Sequence, residues 1–204
     1  MIWNEDNLVE LACSALASAA REFDLENATR GVDCLNEVEL QQRISETLNS
    51  QNVVAVKEAR YPAARIIERL NRGKRCDLLL FHDSEDLRLV PQLDTAKIGY
   101  WLEIKRVAQF LESGPNWHYE RTLLETLPQD VFKLANDPKI FYAGLLVILF
   151  TSHASIGKRD LHTWKYQAMS RGCPVGIPRI CDFSITNRIG NEHVIVALFP
   201  IRRL

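Results

Sequence analysis

The sequence predicts an α/β fold with a central mixed β-sheet that is flanked by helices on both faces. Apolar residues recur at helical spacing through the first part of the chain, and three β-like segments then follow one another. In the remainder, helical patterns alternate with apolar runs of strand length. Consecutive strands followed by helical crossovers are typical of a mixed sheet covered on both sides.

The length of the chain predicts a single domain with a short helical extension. Its 204 residues are enough to bury a sizeable core without staples. The composition, 47% hydrophobic and 25% charged, is ordinary for a globular protein. We expect residues 1–33 to form an N-terminal helix and connector, and residues 34–204 to form the main domain.

Cysteine usage and hydropathy predict a cytoplasmic protein with no membrane partner. The five cysteines are odd in number and form no CxxC pair, so neither a disulfide framework nor a thiolate zinc site is expected. The N-terminus carries acids where a signal peptide needs bases. The longest apolar run, residues 143–150, is far shorter than the roughly 20 residues that span a bilayer.

Two helices are expected before the first strand. The first should begin at its cap, Asn4, and continue to about Arg21. The second should cover residues 35–48, because apolar residues four apart give it a stripe that can face a sheet. The stripe consists of Leu40, Ile44 and Leu48.

The remaining elements follow from apolar runs and turn residues. Strands are expected over residues 53–61, 76–82, 98–107, 142–151, 182–187 and 193–200. Helices are expected over residues 119–136 and 159–170. Pro128 should divide the first of these helices, since proline removes a hydrogen bond and clashes with the preceding turn. The run 142–151 is the most apolar and should be central, whereas residues 63–70 fit a helix or a hairpin equally well.

The segment that carries chemistry is Trp101-Leu102-Glu103-Ile104-Lys105. Side chains alternate along a strand, so Glu103 and Lys105 should point to one face. An acid and a lysine on an otherwise apolar strand are costly to bury unless they are paired or bind a metal. An acid-x-Lys triplet is expected about once by chance in such a chain, and Asp137-Pro138-Lys139 is a second match that its proline excludes from a central strand.

Two further acids are candidates for the same site. Asp77 begins the strand before the Glu103 strand, and pairing of the two strands would bring their carboxylates together. Such carboxylates repel, and a divalent cation relieves the repulsion; oxygen ligands suit Mg²⁺ or Mn²⁺. Glu37 lies on the apolar face of the second helix, so ligation and ordinary charge placement in a first helical turn are equal alternatives for it.

These residues resemble the PD-(D/E)xK nuclease superfamily, the restriction-endonuclease-like fold. The similar pattern is a helix acid, an Asp on a strand, Glu-x-Lys on the next strand, a helix and an apolar strand, over about residues 35–152. Cys76 stands where a proline sometimes precedes the Asp. The resemblance implies that Asp77 and Glu103 bind metal, that Glu37 contributes through water, and that Lys105 orients or activates the attacking water.

The function implied by the resemblance is Mg²⁺- or Mn²⁺-dependent hydrolysis of phosphodiester bonds, with DNA as the expected substrate and a homodimer as an option. Bases outnumber acids after residue 50, which weakly favours a polyanionic partner. Candidate nucleic-acid contacts are Arg72, Lys74, Arg75, Arg106 and Lys133. The segment 129–134 resembles the helix that follows the Glu-x-Lys strand in this superfamily, where Lys133 would face substrate.

Other readings of the same residues remain open. Glu103 and Lys105 could form a surface ion pair, and Asp77 could cap a turn. The basic cluster before Asp77 could be a solvated face, and Trp117 and Trp164 are expected in the core rather than as base-stacking platforms. There are two alternative functions. One is a non-catalytic nucleic-acid-binding or assembly module on the same fold, and the other is a nuclease toxin or defence protein.

Overall fold

A six-stranded mixed sheet forms the centre of the protein. The computed structural model describes residues 3–62, 74–82 and 95–202. The strands are β1 (Val54–Arg60), β2 (Arg75–Phe81), β3 (Tyr100–Ala108), β4 (Phe110–Leu111), β5 (Gly114–Pro115), β6 (Tyr142–Thr151), β7 (Arg179–Ser184) and β8 (His193–Pro200). The sheet order is β1-β2-β3-β6-β8-β7, while β4 and β5 form a separate hairpin.

Six α-helices are described beside this sheet. They are α1 (Glu5–Leu25), α2 (Glu37–Ser50), α3 (Thr95–Ile98), α4 (Tyr119–Arg121), α5 (Leu127–Ala135) and α6 (Ala154–Ser170). A 3₁₀ turn covers Val32–Cys34, and a π-helical turn covers Thr122–Thr126. Asn4 caps α1 as predicted, because its side chain accepts a hydrogen bond from the backbone N–H of Asn7.

The strand directions make the sheet mixed. β1, β2 and β3 form an antiparallel meander, β3 and β6 are parallel, and β6, β8 and β7 are antiparallel. β6 has the bounds predicted for it, and strands pair on both of its sides. Its central place follows from its composition, since nearly every residue of β6 is buried and both of its faces are covered.

Helices cover both faces of the sheet, which confirms this part of the predicted fold class. One core contains the apolar stripes of α1 and α2 together with Leu102, Ile104 and Ile148. The other contains residues of α5 and α6 with Trp101 and Val147. Successive side chains of β3 point alternately to the two faces of the sheet. Glu103 and Lys105 are therefore on the same face as Trp101.

Several boundaries differ from the predictions for local reasons. Residues 95–98 form a short helix, so β3 begins at Tyr100 rather than residue 98. Pro128 does not break the helix, because the hydrogen bond it cannot make falls where the π-helical turn passes into α5. β7 ends at Ser184 instead of 187 because its register is set by pairing with β8. Residues 63–70 lie outside the described residues.

Two observations concern cysteines and hydropathy. Cys13 on α1 and Cys181 on β7 form a disulfide, although they are 168 residues apart, because folding brings their Cα atoms to 6.2 Å. The expectation against disulfides is wrong for this pair, so cysteine usage no longer supports a cytoplasmic location.

In residues 3–62, 74–82 and 95–202, no helix is both long and apolar enough to cross a bilayer.

Candidate active site

The candidate site lies where β2 and β3 separate. Residues Leu78 to Leu80 of β2 pair with β3, and the regular pairing ends at Leu78. Beyond that point, a carboxylate oxygen of Asp77 accepts the backbone N–H of Ile104 at 2.7 Å. From α2, the Gln41 side-chain amide donates to the backbone carbonyl of Asp77 at 2.5 Å. The Asp77 side chain is therefore held between the two strands, at the point where the ladder opens.

The neighbouring strand is also irregular beside Asp77. In β1, Lys57 pairs with Leu78 and Ala59 pairs with Cys76, but no pair is recorded for the residue between them, Glu58. Glu58 has φ of 54°, in the left-handed region that a residue with a Cβ adopts at a cost of about 1–3 kcal/mol. The regular ladder is thus interrupted on both sides of Asp77, and local strain is often found at functional sites.

Glu103 is the most deeply buried acid of the site, with a residue exposure of 2%. The hydroxyl of Tyr61 donates a hydrogen bond to Oε1 of Glu103, and the ammonium of Lys133 lies 3.4 Å from the same oxygen. Glu103 lies close enough to Asp77 for its negative charge to raise the pKa of Asp77. The predicted meeting of these two acids across β2 and β3 is therefore present.

The acidity of Asp77 reflects this setting. Burial and then the negative charge of Glu103 raise the pKa of Asp77 to about 7. The N–H of Ile104 acts in the opposite direction, and the charge of Glu37 adds to the rise. Two carboxylates in contact cannot both be ionised at low cost unless a positive charge joins them.

Lys105 lies between two acids from different helices. Its ammonium is 3.1 Å from Oε1 of Glu37 on α2 and 3.2 Å from Oδ2 of Asp130 on α5. Burial alone would lower the pKa of Lys105, but the charges of Asp130 and Glu37 outweigh it and the pKa is raised. With 17% of its side chain exposed, Lys105 is partly buried and stays charged.

Asp130 and Lys133 complete the cluster from α5. Lys133 contacts Oδ1 of Asp130 at 2.8 Å as well as Glu103. The pKa of Lys133 is raised because contacts with Asp130 and Glu103 outweigh burial. The cluster then contains four carboxyl groups and two ammonium groups, so an excess of negative charge remains when all are ionised. The carboxyl groups belong to Glu37, Asp77, Glu103 and Asp130, and the ammonium groups to Lys105 and Lys133.

Glu37 points towards the site, as its helical angle predicted. Helix capping is done by other residues, since Asn36 and Glu39 form the capping box of α2. The second carboxylate oxygen of Glu37 accepts the backbone N–H of Arg106 at 3.0 Å. Both oxygens are therefore bound to β3, and Glu37 anchors Lys105 instead of contacting the Asp77–Glu103 pair directly.

The predicted nucleic-acid contacts are placed differently from one another. Lys74 and Arg75 are exposed at the start of β2, and Arg75 lies directly opposite Arg60 on β1. The Arg106 guanidinium instead donates to the backbone carbonyl of Asp33 at 2.5 Å and lies over the Phe150 ring, so it serves the core. Lys133 belongs to the acidic cluster, and Arg72 lies outside the described residues.

Two residues of the site were not singled out from the sequence. Asp130 lies on the apolar stripe of α5, between Leu127 and Leu134, so the helical-angle argument used for Glu37 would also have identified it. Tyr61 had no such signal. It follows the last residue of β1, and only the tertiary structure brings its hydroxyl to Glu103.

The donor set suits a hard divalent cation with two protein ligands. Within the described parts of the chain, no three side chains of the His, Cys, Asp and Glu types converge as a metal site. Asp77 and Glu103 supply a pair of carboxylates, whose mutual repulsion a cation would remove. Carboxylate oxygen fits Mg²⁺ or Mn²⁺, both of which keep several waters in their coordination shells.

We expect Asp77→Asn to stabilise the metal-free protein in a pH-dependent way. Because its pKa is raised by folding, the contribution of Asp77 to stability is complete below about pH 4 and lost as the pH rises through about 7. Asparagine can still accept the N–H of Ile104 without a charge. At pH 8 in EDTA, the free energy of unfolding of the variant should therefore exceed that of the wild type by an amount of the order of 4 kcal/mol, and its melting temperature should be higher.

The test is thermal unfolding of both proteins from pH 4 to pH 8. The advantage of Asp77→Asn should shrink towards zero at pH 4, whereas Glu10→Gln, on the exposed side of α1, should give no such trend. An advantage that is the same at every pH, or absent at pH 8, would show that Asp77 is not destabilised by its neighbours.

Comparison with known proteins identifies no relative. No protein-family model matches the chain, and it has no significant match among curated proteins or among solved structures.

Proposed function

We propose that this protein is a metal-dependent nuclease that hydrolyses phosphodiester bonds in DNA, on a restriction-endonuclease-like fold. The observation that carries the proposal is the convergence of Asp77, held between β2 and β3, with Glu103 of β3, the strand that also carries the charged Lys105. The cluster has an excess of negative charge that a divalent cation would balance, and Asp77 lies where the pairing of β2 with β3 ends.

The order of elements supports the fold proposal. Along the chain, α2 carries Glu37, β2 carries Asp77, β3 carries Glu103 and Lys105, and the helical segment ending in α5 is followed by apolar β6. This is the order of the superfamily pattern to which the sequence is similar. In the meander β1-β2-β3, Asp77 lies on a strand adjacent to the one that carries Glu103 and Lys105, and β3 pairs in parallel with β6.

The residues around the site have separable tasks in the proposed reaction. When bound, Mg²⁺ or Mn²⁺ supplies Lewis acidity at the phosphate and a more acidic water. Asp77 and Glu103 would hold the ion, while Tyr61 fixes the position of the Glu103 carboxylate. Glu37 and Asp130 hold the Lys105 ammonium in place, so that it can stabilise negative charge developing on the phosphate without reorganising.

Exposed arginines give a route for the phosphate backbone. Arg60 and Arg75 face each other across β1 and β2, where two like charges directly opposite are unfavourable. Lys74 is exposed beside them, and Asp77 lies two residues along β2 from Arg75. A polyanion bound here would relieve the repulsion and pass close to the site, and its affinity would fall as salt rises.

A cleavage assay tests the proposal. Double-stranded DNA, single-stranded DNA and RNA are incubated with Mg²⁺, with Mn²⁺ or with EDTA. We expect DNA to be cut with either metal and not with EDTA, and Glu103→Gln to be inactive, while Glu10→Gln remains active. Cleavage in EDTA, or full activity of Glu103→Gln, would contradict the metal mechanism, and cleavage of RNA alone would correct the substrate.

A non-catalytic nucleic-acid-binding or assembly module on the same fold is the second candidate. It is favoured by the ion pairs of Lys105 and Lys133, which are those expected of a purely structural network. Such a module would bind DNA without binding Mn²⁺ and without cutting. A toxin or defence nuclease shares the proposed chemistry and differs in biological role.

A further inference from the structure

Trp117 is exposed to an unusual degree for a tryptophan. Its relative exposure is 90%, whereas Trp3, Trp101 and Trp164 are 7%, 2% and 2% exposed. The expectation that Trp117 belongs to the core is therefore wrong, while that for Trp164 is confirmed. An exposed indole does not gain the transfer free energy that burial would supply. The exposed position of Trp117 therefore favours a role in binding.

The segment that carries Trp117 is held firmly on the end of β3. The side-chain amide of Asn116 donates to the backbone carbonyl of Ala108 at 2.8 Å, and its backbone N–H donates to Gln109 at 2.8 Å. The Asn116 side chain also accepts the N–H of His118 at 3.0 Å. The indole is therefore presented to solvent on an ordered turn, so little conformational entropy remains to be lost on binding.

This turn is close to the candidate active site along the same strand. Lys105 and Ala108 are three positions apart along β3, which is about 10 Å. After the turn, the chain enters α4 and continues to α5, the helix that supplies Asp130 and Lys133 to the site. About 10 Å corresponds to roughly three stacked nucleotides, so a strand of nucleic acid of that length spans the separation between Lys105 and Ala108, the residue to which Asn116 is hydrogen-bonded beside Trp117.

We propose that Trp117 is a stacking platform for an unpaired base of a DNA substrate, two to four nucleotides from the bond that is cut. The inference rests on the proposed function and adds that single-stranded or locally unpaired DNA is the preferred substrate. Bases in a duplex are already stacked on one another, whereas an unpaired base gains free energy by stacking on an indole.

The surroundings of Trp117 favour a nucleobase over a protein partner. The exposed residues next to Trp117 in the chain include the polar His118 and Glu120, with Pro115 as an apolar neighbour. Protein interfaces surround a tryptophan anchor with further buried contacts. A single flat ring among polar groups instead suits one base, whose edges keep their hydrogen bonds to water.

Fluorescence tests the inference without any need for cleavage. In EDTA, the protein is titrated with a twelve-nucleotide thymidine single strand and with the corresponding adenine–thymine duplex. The other tryptophans are buried, so quenching of emission by the single strand reports on Trp117. We expect quenching by the single strand and little by the duplex, with Trp117→Ala weakening single-strand affinity about tenfold and Trp117→Phe recovering part of it.

Tyr166→Ala is the matched control, because Tyr166 is an aromatic residue that is 57% exposed on α6. It should bind the single strand like the wild type. Unchanged single-strand affinity of Trp117→Ala, or equal quenching by the duplex, would overturn the stacking role. So would a shift of Trp117→Ala from dimer to monomer in sedimentation together with unchanged DNA affinity, since the indole would then contact protein.

Cleavage separates this inference from the proposed function. If the wild type cuts DNA with Mn²⁺ and Trp117→Ala cuts single and double strands at unchanged rates, the nuclease proposal stands and the stacking role is wrong. If neither protein cuts but the wild type alone binds the single strand tightly, the stacking role stands and the chain is a binding module.

Discussion

Replacing Lys105 by alanine should lower the rate of DNA cleavage by about 10²- to 10³-fold, the effect of removing one preorganised group that stabilises transition-state charge. DNA affinity should change little, because one phosphate contact is a small part of binding by many. The ammonium is held by Glu37 and Asp130 at 3.1 and 3.2 Å, so its position is fixed before substrate arrives. Single-turnover cleavage and DNA binding against salt measure the two quantities separately.

Two further variants distinguish catalysis from structure. Lys105→Ala leaves Asp130 with Lys133 as its remaining cation in the site, so a lower melting temperature is also expected. Lys105→Arg keeps the charge and should restore stability, but its planar group does not replace an ammonium in geometry, and cleavage should stay low. Lys139→Ala, in the chance triplet 137–139, is the matched control. Wild-type cleavage by Lys105→Ala would refute the mechanism.

Asp77→Asn should weaken Mn²⁺ binding by at least about tenfold while the protein remains folded. The metal needs the ionised carboxylate, so protons compete with it wherever Asp77 is protonated. Because the pKa of Asp77 is raised to about 7, the Mn²⁺ affinity of the wild type should fall by about fivefold from pH 7 to pH 6. The variant should lack the Asp77 contribution to this pH dependence.

Calorimetric titration with Mn²⁺ at pH 6, 7 and 8 measures this effect, with Glu37→Gln as the second variant. Both oxygens of Glu37 are engaged by β3, so Glu37→Gln should retain most of the Mn²⁺ affinity. It should nevertheless reduce cleavage, because the Lys105 ammonium loses an anchor. Unchanged Mn²⁺ affinity in Asp77→Asn would remove Asp77 from the site, and a loss in Glu37→Gln equal to that in Asp77→Asn would make Glu37 a ligand.

Elements that depend on local pattern were predictable from the sequence. The bounds of β6 and β8 were predicted correctly, since a long buried run and its ends are visible in composition alone. The cap of α1 and the direction of Glu37 followed from residue type and helical angle. The edge strand β7 was misplaced because it is largely exposed and its register comes from β8 rather than from its own residues.

The sequence by itself determined which residue types share a face: Glu103 and Lys105 on one side of β3, and Glu37 in line with the apolar stripe of α2. Side-chain periodicity is a property of the backbone, so it can be read without the fold. Only the tertiary structure decided that Asp77 occupies the opening between β2 and β3, and that Tyr61 and Asp130 join the cluster. These contacts join residues far apart in the chain, and their energies depend on distance and burial, which no local pattern contains.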